Sequence, residues 1–313
     1  MSLQKRDEMV HVIDTLTEKY LQGKIRAVKL SIMALLSEGH ILLEDIPGLG
    51  KTTLALALSG ALGLSFGRIQ CTSDLMPSDI TGLSIFNREE SAFKFMKGPV
   101  FNNIVLVDEI NRAMPKTQSA LLEAMEERRV TVEGTTYPLP APFLVIATQN
   151  PMEQVGTYPL PESQMDRFLI RTGIGYPPEK IEKAIIRGGS IRDEIKNMPV
   201  LASLDDILDA QRSVKHEIYI SEKIIDYIFM LVEATRNHPL LLSGISTRGG
   251  INIADSAKAH AFLAGRDYVI PEDVKAVAVP VGAHRLVANQ ENEALNKEDI
   301  LLSLLRKLPV PLV

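Results

Sequence analysis

Residues Leu42 to Thr53 read LLEDIPGLGKTT. A short apolar run leads into a turn containing Pro47, Gly48, Leu49 and Gly50, and Lys51, Thr52 and Thr53 then open a helix rich in leucine and alanine. The spacing is that of a phosphate cradle. Glycines at 48 and 50 can take backbone conformations other residues avoid, so successive amides can turn toward an anion with no Cβ in the way. The helix that follows aims its unpaired N–H groups and the positive end of its dipole at the same point. In that pattern Lys51 reaches the β and γ phosphates and the Thr52 hydroxyl ligates Mg²⁺. The string departs at its left edge, where Asp45 stands in place of the usual glycine. A carboxylate there is unfavourable beside phosphates unless it points away. An ordinary strand, turn and helix with an exposed lysine also fits this spacing; the apolar strand before and the helix after favour the cradle.

The chain has 313 residues, enough to bury a substantial core, and the length predicts two domains. With 45% hydrophobic and 23% charged residues it reads as soluble and globular. No uninterrupted apolar run approaches the roughly 18 residues of a membrane span, and there is no signal-peptide pattern, so a cytoplasmic location without membrane insertion is expected. Cys71 is the single cysteine, which excludes an intrachain disulfide and predicts a core thiol. The net charge of −5, without long like-charge blocks, makes nucleic acid an unfavoured partner.

Ile25, Val28, Ile32 and Leu35 keep helical spacing up to Gly39, before a strand at Ile41 to Leu43. After the cradle helix, Arg68 to Thr72 reads as the next strand. Leu83 and Ile85, then Phe93 and Phe95, alternate with polar neighbours about a polar turn, a hairpin near 82–97. Ile104 to Val107 is a continuous apolar run of the kind buried in a parallel sheet, and it ends in Asp108 and Glu109. Ligands in such sheets bind at the carboxyl ends of the strands, so this acidic pair lies near the cradle if the strands are neighbours. Asp108 would then hold Mg²⁺ through its water shell and Glu109 would orient or deprotonate an attacking water. A solvated acidic pair at a strand end is the alternative. Pro115 to Arg128 is helical, Val130 to Tyr137 is a second hairpin turning at Glu133 and Gly134, and Phe143 to Ala147 is a strand ending in Thr148, Gln149 and Asn150. Asn150 could position a water without adding charge, or could be a turn residue before Pro151. Arg167 precedes a strand at Leu169 to Thr172, and on spacing alone a surface ion pair is its alternative.

From Pro177 onward strand patterns fade and helices take over. Two units are predicted: an αβα core over 1–176 with parallel strands, and a smaller all-α unit over 177–313. Ser203 and Ser221 are placed as helix caps, Ser246, Thr247 and Arg248 open a further helix, and Pro271 to Asp273 open another. The six histidines lack metal-ligand spacing, and no serine-nucleophile elbow is present.

Taken in order, EDIPGLGKTT, IVLVDEINR, ATQNP, GTYPLPESQMDRF and ISTRGG resemble the AAA+ ATPases, and their wording resembles the MoxR subfamily over nearly the whole chain. The resemblance implies a P-loop NTPase core with a helical lid, ATP and Mg²⁺ as cofactors, and nucleotide contacts from Pro47 through Thr53 with Asp108. It implies Glu109 as catalytic base, Asn150 as sensor 1, Arg167 as an arginine finger reaching the neighbouring subunit, and Arg248 as sensor 2. The ED before the proline is common in MoxR-like chains, and Gln22 to Lys24 fall where the family contacts adenine. The two hairpins are similar to the helix 2 insert and pre-sensor 1 hairpin, and His284 with Arg285 resembles a pair near the end of MoxR lids. A hexameric ring, a client protein complex and partners with von Willebrand factor A domains are further implications. Two other readings stay open on the residues: a non-hydrolysing scaffold that uses ATP to assemble, and an AAA+ motor on nucleic acid.

Overall fold

The computed structural model describes residues 2–89, 91–152, 156–188, 192–289 and 295–311, which include every candidate site residue. Its first half carries helices α1 (Ser2–Thr15) and α2 (Ile25–Leu36), strand β1 (Ile41–Glu44), α3 (Lys51–Ala61), β2 (Phe66–Gln70) and α4 (Pro77–Thr81). The hairpin β3 (Gly82–Asn87) and β4 (Ala92–Lys97), then β5 (Ile104–Asp108), α5 (Pro115–Glu127) and the hairpin β6 (Arg129–Val132) and β7 (Thr135–Pro138) follow. Strand β8 (Leu144–Gln149), α6 (Glu162–Met165) and β9 (Ile170–Thr172) complete it.

Five strands form one parallel sheet in the order β2-β5-β8-β1-β9. Alternation within each strand explains why they are apolar throughout. Ile41 and Leu43, Ile104 and Leu106, and Leu144 and Ile146 enter one core with α2 and α3, whereas Leu42, Val105, Val107, Val145 and Ala147 face a second core with Leu121, Leu122 and Met125 of α5. Both faces are covered, as a parallel sheet requires.

The second half contains α7 (Glu179–Gly188), α8 (Arg192–Lys196), α9 (Leu204–His216), α10 (Glu222–Arg236), β10 (Leu241–Ser243), α11 (Thr247–Leu263), α12 (Pro271–Gly282), β11 (Val287–Ala288) and α13 (Lys297–Lys307). Helices dominate as predicted, with one addition: β10 and β11 pair as a short antiparallel ribbon. Ser203 caps α9 in a capping box, its hydroxyl accepting from Asp206 N–H at 3.3 Å while the Asp206 carboxylate accepts from Ser203 N–H at 2.9 Å. Ser221 precedes α10 with extended backbone, but its buried hydroxyl caps nothing. α1 packs on α9, and Met9 and Ile13 join the same core as Ile207, Val214 and Ile253. Among the described residues no helix is long and apolar enough to cross a membrane.

Candidate nucleotide site

Strand order decides what meets what. β8 lies between β1 and β5, so the tips that converge belong to three strands: the cradle after β1, Gln149 and Asn150 after β8, and Asp108 and Glu109 after β5. A cavity of about 970 Å³ opens there, lined by all seven residues from Pro47 through Thr53 and by Asp108, Glu109 and Asn150.

Gly48 and Gly50 both have positive φ, +88° and +95°, and a Cβ on Gly48 would project into open space rather than against protein. That is the shape of a loop kept bare for a ligand, with α3 beginning at Lys51 behind it. The Lys51 ammonium donates to Asp45 O and, at 3.3 Å, to Gln149 O. Burial pulls its pKa below the usual lysine value, opposed by the carboxylates of Asp45, Asp108, Glu109 and Glu44. Asp45 is turned away from the cavity: its carboxylate accepts from the N–H groups of Ile174 and Gly175, the latter at 3.1 Å. The acidic residue at the loop's left edge is therefore a strut to the chain beyond β9 and leaves the phosphate position clear.

Asp108 is buried, and its Oδ2 accepts from Arg68 Nε at 2.9 Å while Cys71 N–H donates to its carbonyl at 2.9 Å. Burial, reinforced by Asp108 and Glu109, pushes the Cys71 thiol up to about 12, consistent with a core thiol. Glu109 has a left-handed backbone, φ +58°, a conformation that costs a non-glycine residue roughly 1–3 kcal/mol and persists only where neighbours enforce it. Thr148 Oγ1 accepts its N–H at 3.0 Å, and its Oε2 accepts from Gln70 Nε2 at 3.2 Å and Arg112 Nη1 at 3.0 Å. The carboxylate is aimed by these contacts. Asn150 Oδ1 accepts from Met152 N–H at 3.1 Å.

No motif or spacing in the sequence singles out Arg68 and Gln70. They occupy alternate, outward positions of β2, and only the pairing of β2 with β5 carries them to the acidic pair. Tyr20, Leu21 and Lys24 on one side and Ile174, Ile181 and Ile185 on the other complete the cavity wall. The oxygen donors Thr52 and Asp108 beside a bare anion loop are the set Mg²⁺ takes when most of its shell is water and phosphate.

Arg167 and Arg248 are brought together, but elsewhere. Both pair with Glu126: Arg167 Nε lies 3.3 Å from Oε2 and Arg248 Nη1 lies 3.1 Å from Oε1. They line a separate cavity of about 160 Å³ with residues 37–40, which precede β1, and Leu169, which precedes β9. That is the amino end of the sheet, about 13 Å of strand away from the cradle at the carboxyl end.

The model of the ATPase family associated with various cellular activities (AAA) matches residues 40–170, and that of the AAA lid domain matches 233–304. The protein YeaC of Bacillus subtilis is 44% identical over 94% of this chain and 92% of its own. Chaperone MoxR1 of Mycobacterium tuberculosis is 39% identical over 95% of this chain and 81% of its own. The chain belongs to the MoxR family of AAA+ ATPases. Its fold is that of the family, since a crystal structure of a Cytophaga hutchinsonii protein, 41% identical, superposes with a TM-score of 0.90 over 99% of this chain and 97% of that one. In this MoxR-family chain the three strand tips and the glycine loop form one face, and the paired arginines form another.

Proposed function

We propose that this MoxR-family protein hydrolyses ATP with Mg²⁺ between adjacent subunits of a ring and uses the cycle to remodel a client protein complex. The observation that carries the reading is that two groups of residues lie at opposite ends of one sheet. The cradle, Lys51, Asp108, Glu109 and Asn150 share one cavity, and Arg167 and Arg248 share another that those residues do not line. A subunit so built is half-complete on each side, and a second copy supplies what each lacks.

In this reading the amides of the loop and Lys51 bind and orient the phosphates. Glu109, held by Gln70 and Arg112, accepts a proton from the attacking water, and Asn150 fixes that water as a donor. Thr52, and Asp108 through water, would hold Mg²⁺, which would supply positive charge to the phosphate oxygens. Arg167 and Arg248 of one subunit face the γ-phosphate bound by the next, where an arginine finger is worth about 10³–10⁵ in rate. Residues 1–176 serve as the nucleotide-binding core and 177–313 as the lid. The adenine ring fits the apolar walls offered by Tyr20, Leu21, Ile181 and Ile185.

The output surface is the pair of hairpins. Phe93 is 70% exposed and packs edge-to-face on Phe86, whereas Phe95 stacks on Tyr137 at 4.2 Å, so the first hairpin is braced on the second and keeps apolar groups at its tip. This surface, together with the chaperone name of the Mycobacterium relative, supports a chaperone-type role, and a von Willebrand factor A domain protein is the partner to try first. The test is phosphate release by Arg167→Ala, Glu109→Gln and the wild type, each checked for assembly. Turnover by Arg167→Ala at the wild-type rate refutes the shared site. ATP retained with hydrolysis suppressed is expected for Glu109→Gln, and that variant in ATP is the trap with which to capture the client.

A further inference from the structure

Arg285 lies in a single helical turn, residues 283–285, after α12, and its side chain is only 1% exposed. A guanidinium so enclosed is costly unless all five of its N–H groups find acceptors. Here they do. Nε donates to Asp166 Oδ1 at 2.7 Å; Nη2 donates to Asp166 O at 3.2 Å and Phe168 O at 2.8 Å; Nη1 donates to Leu169 O at 3.3 Å and to Val281 O. Burial lowers its pKa to about 10, with Asp166 opposing the shift, so the group stays charged at neutral pH. His284 Nε2 beside it lies 3.0 Å from Phe168 O and 2.8 Å from Arg285 Nη1.

Four of those five bonds go to residues 166, 168 and 169, on either side of Arg167. The stem of the same side chain packs under the start of α11: a Cβ added to Gly249 would come within 2.8 Å of Arg285 Cδ. Gly249 is the neighbour of Arg248, and its N–H is held by the Ser246 cap at 3.0 Å. One buried side chain thus touches both arginine-bearing segments from beneath, while Glu126 joins the two guanidiniums above.

We propose that Arg285 is a positioning residue that locks the segments bearing Arg167 and Arg248 into a single two-arginine edge, ready for the phosphate of an adjacent subunit. The assignment rests on the reading that these arginines act across a subunit boundary. Lysine cannot replace Arg285, because one ammonium has three donors and no fork to span the carbonyls of 166, 168 and 169. The edge is built from groups on the core and the helical half alike, so a displacement of either half moves both guanidiniums together.

The test uses the full-length protein carrying Arg285→Lys, which keeps the charge and most of the stem. We expect kcat to fall roughly 10–100-fold, the scale of a misplacement of about 1 Å, with KM and the affinity for a fluorescent ATP analogue unchanged because each subunit's own cradle is intact. Mixing in Lys51→Ala subunits, which have a disabled cradle but a correct arginine edge, should restore turnover. Wild-type kcat in Arg285→Lys overturns the proposal, as does a loss in nucleotide affinity equal to the loss in turnover. Failure of Lys51→Ala subunits to rescue Arg285→Lys while they do rescue Arg167→Ala overturns it too and leaves the shared site standing. If they rescue neither, the trans reading and this inference fall together. Should Arg285→Lys not fold, Asp166→Asn, which keeps the carbonyl acceptors and removes the countercharge, is judged by the same criteria.

Discussion

Replacing Asp273 with asparagine should weaken the helical half in a way that depends on pH. The carboxylate has no exposed surface. Its Oδ2 accepts from Arg266 Nη1 at 2.6 Å and Ile270 N–H at 2.8 Å, and its Oδ1 accepts from Arg266 Nη2 at 2.5 Å and His260 Nδ1 at 2.6 Å. These bonds tie the end of α11, the connecting turn and the start of α12 to one group. Burial alone would raise the carboxyl's pKa; the hydrogen bonds from Arg266, His260 and Ile270 outweigh it and bring the value down from 3.8 to about 2. Because the folded value lies below the unfolded one, the unfolded chain takes up more protons as pH falls. The contribution is complete above about pH 4, worth about 2 kcal/mol, and about half of it is gone by pH 3. Removing one member of a buried pair costs about 3–5 kcal/mol, so Asp273→Asn, which keeps one acceptor oxygen, should cost about 2–4 kcal/mol at pH 7. Urea unfolding followed by far-ultraviolet circular dichroism at pH 7 and between pH 5 and pH 3 measures both effects. A stability at pH 7 within about 0.5 kcal/mol of wild type, the range of an ordinary surface change, refutes the reasoning. An undiminished acid sensitivity in the variant does so equally.

Arg68 shares Asp108 Oδ2 through an ion pair at 2.8 Å, with its own side chain half exposed, so Arg68→Ala should free that carboxylate and lower the Mg²⁺ needed for half-maximal nucleotide binding. The shift should be up to about fivefold, the worth of an exposed ion pair, and titration calorimetry with ATP analogue at varied Mg²⁺ reads it. Gly48→Val puts a branched side chain at positive φ and into the cavity, so it should abolish nucleotide binding while the far-ultraviolet spectrum stays that of the wild type; retained affinity would place the phosphates elsewhere. Cys71, buried and with its thiol pushed up to about 12, should show no fast reaction with a thiol reagent in the native protein at pH 8 and one equivalent in denaturant.

What the order of residues decided by itself was local. The cradle is legible because its glycines, lysine and helix start fall within a dozen consecutive positions, and the strand ending in Asp108 and Glu109 because a chain buried on both faces must be apolar throughout. The turn of the second hairpin was legible for the same reason: Glu133 and Gly134 both take positive φ in a two-residue loop. Tertiary structure alone decided the rest. It inserted β8 between β1 and β5, turned Asp45 to the amides beyond β9, brought Arg68 and Gln70 to the acidic pair across a strand pairing, and packed α1 on α9. It also set Arg167 and Arg248 on one glutamate at the far end of the sheet and placed Arg285 beneath them. These contacts join residues separated by tens to hundreds of positions, and periodicity, which reports only which face of its own element a side chain occupies, carries no information about which other element will meet that face.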